Sequence, residues 1–384
     1  MSTEKWDVII VGAGAAGATA AIYLAKSGAK TLMLEKEHLP RYKACGGGVT
    51  YRTAKLLPFD VSQLSKDHIH QVLLTFKLAQ PAIKSSDQPL AYMVNRSEFD
   101  AFLVEKAVQA GCTFRDGEKV LQVTQAEQFI TVQTKQQTLS ARLVIGADGA
   151  NGITAKFLQL NQNPFIGVSI ESEVEVSPHS MEEWLHKVHL DLGSIRYGYA
   201  WVFPKADHLS IGVGGPQQNS SQVKAYFQRV TNYWKQQMEG YTILLQRGHR
   251  IPVLRKDARL YRDRALIVGD AAGLTDPLSG EGIYYAIRSA QLGAQAALNF
   301  LTDEAKHPLS LYQQLVQREL LPNIQRAKAY LTLFNLFTPW FYSKLINSKR
   351  LWQATCRLLQ GETSYVQIGK TLGKGEVFLN LLTW

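Results

Sequence analysis

Gly12, Gly14 and Gly17 stand at the spacing G-x-G-x-x-G, and Glu35 follows Gly17 by eighteen residues. Glycines at those intervals turn the chain sharply, let the backbone approach a pyrophosphate, and let a helix pack closely on a strand. A carboxylate at that distance can accept hydrogen bonds from ribose hydroxyls. The chemistry indicated is dinucleotide binding, and an acid there suits an unphosphorylated ribose: NAD or FAD, with NADP disfavoured. The elements that must position these residues are legible beside them. Val8 to Val11 is a β-branched apolar run that reads as a buried parallel strand, Ala18 to Leu24 is a good helix former, and Lys30 to Leu34 is a second strand ending at Glu35. The start of that helix offers free N–H groups and a positive dipole end to phosphates. Ala16, inside the glycine turn, and Lys36, after the acid, complete this group of cofactor-binding candidates.

Two later segments choose between the cofactors. Leu143-Val144-Ile145-Gly146-Ala147-Asp148-Gly149 is an apolar strand running into a turn. Ala265-Leu266-Ile267-Val268-Gly269-Asp270-Ala271-Ala272-Gly273 is another strand ending at an acid, followed by Pro277-Leu278-Ser279-Gly280-Glu281-Gly282-Ile283 and a helical run from Tyr284 to Phe300. In order, the three segments resemble the fingerprints of FAD enzymes built like the aromatic-ring hydroxylases. The resemblance implies FAD, with Asp148 and Asp270 at the cofactor. Asp270 would hold the ribityl chain, and the amides from Gly280 through Gly282 to Ile283 would face the isoalloxazine.

Four stretches narrow the resemblance. Arg41-Tyr42-Lys43-Ala44-Cys45-Gly46-Gly47-Gly48 resembles the cysteine-glycine loop of the geranylgeranyl reductase family. Tyr199-Ala200-Trp201-Val202-Phe203-Pro204-Lys205 fits that family's Y-x-W-x-F-P-K segment. Asp276 to Ile283 is close to its flavin loop, and Asn95-Arg96-Ser97-Glu98-Phe99-Asp100 resembles its arginine-containing helix start. The likeness runs from residue 7 to about residue 300 and carries no motif beyond. It implies reduction of isolated prenyl double bonds on lipids, chlorophyll precursors or quinones. It also implies flavin contacts from Cys45, Gly46, Gly48 and Arg96. Arg41 and Lys43 are candidates for the cofactor or for a substrate's diphosphate, with solvated surface charge the alternative. Val120 opens a strand near the adenine. Two other readings stay open: an FAD monooxygenase that hydroxylates an aromatic or polyprenyl-quinone substrate, and a non-enzymatic flavin or lipid carrier.

An alkene with no neighbouring carbonyl is a poor hydride acceptor, so orientation in a dry slot must supply most of the acceleration. Tyr197, Tyr199, Trp201 and Phe203 recur at period two and are expected to share one sheet face that lines such a slot, although an ordinary packing face would look the same. Tyr199 and Trp201 are candidates to act at the reacting carbons. The Cys45 thiol could donate a proton or tune the flavin, although lone cysteines are commonly inert. Lys205 reads as a turn residue. No second nicotinamide motif is evident, since Gly212-Val213-Gly214-Gly215 sits at a strand end without the following helix pattern. The reductant is therefore external, NADPH or a ferredoxin. His186 and His189 lack partner ligands, so no metal site is expected.

The 384 residues carry a formal charge of +10 and three cysteines, Cys45, Cys112 and Cys356, too scattered for a disulfide framework. A reducing, cytoplasmic setting is expected, with no secretory leader and no membrane-spanning run. The fold expected is α/β: a Rossmann-like FAD-binding domain, an inserted antiparallel-sheet substrate domain, and a helical C-terminal region. Residues 1–67, 95–164 and 250–305 would form the first, 68–94 and 165–249 the second, and 306–384 the third. From Pro322 onward, eight basic residues (Arg326, Lys328, Lys344, Lys349, Arg350, Arg357, Lys370, Lys374) oppose Glu362 and Glu376, interleaved with aromatics such as Phe337, Trp340 and Trp352. That pattern suits peripheral contact with an anionic membrane, or a lid packed on the substrate domain. No nucleic-acid-binding motif accompanies it.

Overall fold

The structure is a computed structural model and describes residues 4–126, 128–161 and 164–371. Lys374, Glu376 and the rest of the C-terminal segment lie outside the described residues. Lys5–Val11 forms a strand buried throughout Val8 to Val11. It pairs in parallel with Thr31–Leu34 on one side and Thr138–Gly146 on the other. A parallel strand covered on both faces needs a continuous apolar run, and this run supplies it. Ala265–Ile267 and Thr113–Arg115 extend the parallel core on its two flanks. The strands come from well-separated stretches of chain, so the sheet itself brings residues near 12, 148 and 270 to one region. Helix Ala15–Lys26 packs against helices Ile283–Thr302 and Arg96–Gln109.

A second, seven-stranded sheet runs in the order Thr242–Val253, Phe165–Glu175, Leu209–Pro216, Tyr199–Pro204, Lys187–Leu192, Gln71–Phe76, Ala79–Ser85. All its junctions are antiparallel except that between Lys187–Leu192 and Gln71–Phe76, which is parallel. The antiparallel expectation therefore fails at one junction: those two strands are far apart in sequence, so no tight hairpin dictates their direction. Helix Ser220–Gln237 covers one face, burying Val223, Phe227 and Val230 against Val202, Ile211 and Val213. Alternation then turns Tyr199, Trp201 and Phe203 to the opposite face. A three-stranded sheet of Gly48–Thr50, Ala91–Met93 and Asp67–Ile69 completes the β-structure.

The C-terminal helices divide their aromatics. Tyr342 and Trp352 pack inward on the Gln71–Ser85 hairpin, with the Trp352 indole N–H donating to the Ser85 carbonyl at 2.7 Å. Tyr365 and Leu358 pack beside Leu278 of the loop before Ile283. Leu336, Phe337 and Trp340 remain more than half exposed. No described helix is long and apolar enough to cross a membrane, and no metal-holding cluster of His, Cys, Asp or Glu occurs among the described residues.

Candidate functional site

At the nucleotide end, Gly12 adopts φ +101°, and a Cβ there would meet the Ala147 carbonyl oxygen at 2.5 Å. Glu35, 5% exposed, accepts from the Ala13 N–H at 3.0 Å and from the Lys36 and Glu37 N–H groups at 2.9 and 3.2 Å. Its carboxylate thus ties the glycine turn to the end of the second strand. The Lys36 side chain points away to solvent beside Glu37. Ala16 is buried, and Gly269 of the third segment closes on it, leaving 3.0 Å to a built Cβ. Arg41 lies 3.1 Å from Asp100 and 3.4 Å from Glu35 and borders the space above Gly14. Arg96 opens helix Arg96–Gln109 and makes two 2.9 Å hydrogen bonds to Asp100. Burial opposes its charge, but Asp100 and then Cys45 hold its pKa above the ordinary arginine value. Val120 opens the strand Val120–Gln125, buried in the same sheet.

Asp270 lies in the turn Gly269–Ala272, with Lys43 at 3.7 Å and His249 at 3.6 Å. Burial pushes its carboxyl up, but His249 and Lys43 outweigh that and bring it down to about 2. Gly282 adjoins it, a built Cβ meeting Asp270 Oδ1 at 3.4 Å. Asp148 braces its own turn: Oδ2 accepts from the Ile153 and Thr154 N–H groups and from the Thr154 hydroxyl. Its Oδ1 is buried without a protein partner. Gly280, at φ +71°, and Ile283, the first residue of helix Ile283–Thr302, frame a loop that Asp276 folds by accepting from the Leu278 and Ser279 N–H groups. Glu281 anchors the loop outward to Thr50, Arg52 and Thr53.

The aromatic strand Tyr199–Pro204 lies against both loops. The Tyr199 hydroxyl donates to the Ser279 carbonyl at 2.5 Å, and a Cβ on Gly46 would lie 2.6 Å from the Phe203 ring. Ring centroids of Tyr199, Trp201 and Phe203 follow one another at 6.0 and 6.2 Å. Tyr197 does not join them. It precedes the strand at φ +59°, 37% exposed, its N–H held by Asn335 at 2.6 Å, so period two stops at Tyr199. Gly212 and Gly214 occur inside strand Leu209–Pro216, and helix Ser220–Gln237 does follow them. Gly212 works sterically: a Cβ there would lie 2.1 Å from the Trp201 indole, whereas one on Gly214 would make only ordinary contact at 3.8 Å. Gly48 starts its short strand 4.0 Å from Phe203, measured at a built Cβ.

Cys45 is half-buried; its N–H donates to Glu171 at 2.6 Å, and its sulfur accepts from the Gly47 N–H at 3.4 Å. Lys205 does open a turn, its N–H donating to the His208 carbonyl at 2.8 Å, but its side chain is not at the surface. It is 2% exposed, donates to the Val94 carbonyl at 2.7 Å, and fills the space beside Gly47. Sequence reasoning also missed Glu171, Glu173 and His208 here, because charges alternating along a strand ordinarily mark a solvated face.

The FAD binding domain family matches residues 5–314. The chain belongs to that family. A Methanosarcina barkeri protein, Mbar_A1602, is 30% identical over 85% of this chain and 83% of its own length. The chloroplastic geranylgeranyl diphosphate reductase of Nicotiana tabacum is 30% identical, covering 75% of this chain and 65% of that protein, just under two thirds. A solved structure from Thermoplasma acidophilum, geranylgeranyl bacteriochlorophyll reductase-like, superposes with TM-score 0.78 at 24% identity, over 90% of this chain and 91% of the other, and shares the fold. The chain is an FAD-dependent oxidoreductase similar in sequence to geranylgeranyl reductases.

The residues fit FAD. A built Cβ at Gly14 has no neighbour closer than 3.7 Å, leaving room at the helix N-terminus for a phosphate. The Asp148 Oδ1 and Thr275 Oγ1 atoms are buried without a hydrogen-bond partner in the protein. Gly12 to Gly17 and Arg41 would hold the pyrophosphate, Glu35 the ribose, Asp270 the ribityl chain, and Gly280 to Ile283 the ring system. When bound, FAD supplies hydride transfer.

Proposed function

We propose that this flavoprotein saturates prenyl double bonds of geranylgeranyl type on an isoprenoid lipid, chlorophyll precursor or quinone. The observation that carries the reading is the aromatic face of Tyr199, Trp201 and Phe203, laid between the Cys45–Gly48 loop and the Ser279–Gly280 loop. Such a face excludes water and fixes an apolar chain, which an isolated alkene requires of its catalyst. Cys45, Tyr199 and Trp201 act around the reacting carbons. The name of the Nicotiana relative supports the same substrate class. NADPH or a ferredoxin delivers electrons from outside the chain. The exposed Leu336, Phe337 and Trp340, with Lys344, Lys349 and Arg350 beside them, rest on a membrane surface from which the substrate enters.

The test is anaerobic turnover of geranylgeranyl diphosphate with dithionite-reduced protein, followed by mass spectrometry. Products heavier by two hydrogens per turn are expected. A product carrying an added oxygen, formed only in air, would replace this reading with a hydroxylase. Parallel assays with NADPH and with reduced ferredoxin identify the donor.

A further inference from the structure

Saturating an isolated alkene consumes a proton as well as a hydride, and a slot closed to water cannot draw that proton directly from solvent. Glu171 and Glu173 lie two residues apart on strand Phe165–Glu175 and so point to one face. Glu171 is 2% exposed. Its Oε1 accepts from the Cys45 N–H at 2.6 Å and from the Tyr42 hydroxyl at 2.9 Å. The same hydroxyl lies 3.3 Å from Glu173 Oε1. Glu173 Oε2 lies 3.2 Å from His208 Nε2, and His208 Nδ1 lies 2.6 Å from the exposed Asp207 carboxylate. A series of polar groups, each 2.6 to 3.3 Å from the next, runs from the exposed Asp207 to the Cys45 loop; its His208–Glu173 step is an ion pair, since Glu173 Oε2 makes no hydrogen bond. A carboxylate needed only to hold that loop would gain nothing from a second acid across a shared hydroxyl, because like charges oppose each other.

The surroundings suit proton traffic. Glu173 faces Glu171 from its own strand, Tyr42 and Cys45 from the loop, and Lys205 from the end of the aromatic strand. Arg247 stands opposite it in register on the edge strand, with its guanidinium exposed and turned to the Gln246 carbonyl. Burial, and then Glu173, raise the Glu171 carboxyl above the usual range against the pull of Tyr42, Cys45 and Lys205. Burial lowers the Lys205 ammonium. Burial also acts against the His208 charge, but Glu173 and Asp207 overcome it and raise the imidazole.

We propose that His208, Glu173, Tyr42 and Glu171 form a proton relay from solvent to the Cys45 loop. The proposal rests on the reductase reading. In each turn the alkene gains a hydride from the reduced cofactor on one carbon and a proton on the other as the π bond breaks. The group that gave the proton is refilled through Glu171, then Tyr42, Glu173 and His208, with one proton drawn from water. The two electrons originate in the external donor, for which dithionite stands in experimentally.

Tyr42→Phe removes the shared hydroxyl and leaves Glu171 on the Cys45 N–H; Glu171→Gln removes the titrating group. Infrared spectra of the purified protein across pH need no turnover. Wild type should show a protonated-carboxyl band persisting above the ordinary carboxylate range, absent in Glu171→Gln and moved to higher frequency in Tyr42→Phe. Stopped-flow reoxidation of dithionite-reduced protein by geranylgeranyl diphosphate, without oxygen, should slow at least ten-fold in Tyr42→Phe. Its pH dependence should change and its solvent deuterium isotope effect rise, with FAD content unaltered. Wild-type rates and pH profile in both variants, or no such band in wild type, would overturn the relay. Wild type that the substrate fails to reoxidise, with the band still answering to Tyr42, would overturn the substrate reading and uphold the relay.

Discussion

A side chain added at Gly14 meets no heavy atom closer than the Arg41 guanidinium at 3.7 Å, whereas one at Gly17 would lie 1.9 Å from the Gly12 carbonyl oxygen. The two glycines therefore separate cofactor binding from folding. Gly14→Val should leave the melting temperature of the FAD-free protein unchanged while FAD no longer co-purifies, read as loss of the yellow absorbance. Gly17→Val should lower stability by about 1–3 kcal/mol or more, because helix and strand cannot part without losing their packing. Full FAD retention in Gly14→Val would remove the pyrophosphate assignment. Asp270→Ala should weaken FAD retention by on the order of 1.5–3 kcal/mol, the value of a hydrogen bond to a charged group. Asp270 also makes a pH prediction. Its folded pKa of about 2 lies below the unfolded 3.8, so its stabilisation is fully present above 3.8 and disappears as pH falls through 2. The stability gap between wild type and Asp270→Ala, in FAD-free protein, should be on the order of 2 kcal/mol near pH 6 and shrink between pH 4 and 2. A gap that stays constant would mean that Lys43 and His249 do not sense this carboxylate.

At the scale of elements, the strand Tyr199–Pro204 is shaped by its neighbour. Trp201 lies flat over Gly212, where any side chain would push the indole out of place. Gly212→Val should therefore reproduce Trp201→Ala: prenyl reduction falls at least ten-fold, while FAD stays bound in both. The double variant should be less than additive, since both changes remove one contact. Loss of FAD in step with activity would instead assign Trp201 a folding role. Helix Ser220–Gln237 supports this arrangement from behind, holding Val202 and Ile211 so that the alternate residues face the loops.

For the whole molecule, a charge of +10 and the exposed Leu336, Phe337 and Trp340 bear on where the flavoprotein works. Basic residues near an anionic surface contribute roughly 1 kcal/mol each, screened by salt. Flotation with anionic liposomes at low salt is expected, weakening at high salt and with neutral lipid. Lys344, Lys349 and Arg350 changed together to Glu should abolish it, and Phe337→Ser with Trp340→Ser should reduce it. Wild type that never floats would make these helices a lid alone, in keeping with Tyr342 and Trp352, which already pack inward.

The strand Lys5–Val11, the helix beginning at Arg96 and the alternation of Tyr199, Trp201 and Phe203 were legible because each is written in residues near in sequence. Backbone conformation and burial period depend on local chemistry such as β-branched residues and glycine turns. Tyr197 broke the alternation because a left-handed backbone at one residue ends a strand, which no period reveals. Lys205 and Glu171 were illegible for a different reason. A charged residue is solvated by default, and only partners more than a hundred positions away, Val94 for the lysine and Tyr42 and Cys45 for the glutamate, make its burial tolerable. The parallel junction between Lys187–Leu192 and Gln71–Phe76 is likewise decided by the crossover of distant chain. The sequence by itself determined a dinucleotide-binding α/β fold and the loops that could meet a flavin. Tertiary structure alone decided which buried charges stand behind those loops, because desolvation is settled by contacts between residues that no spacing rule connects.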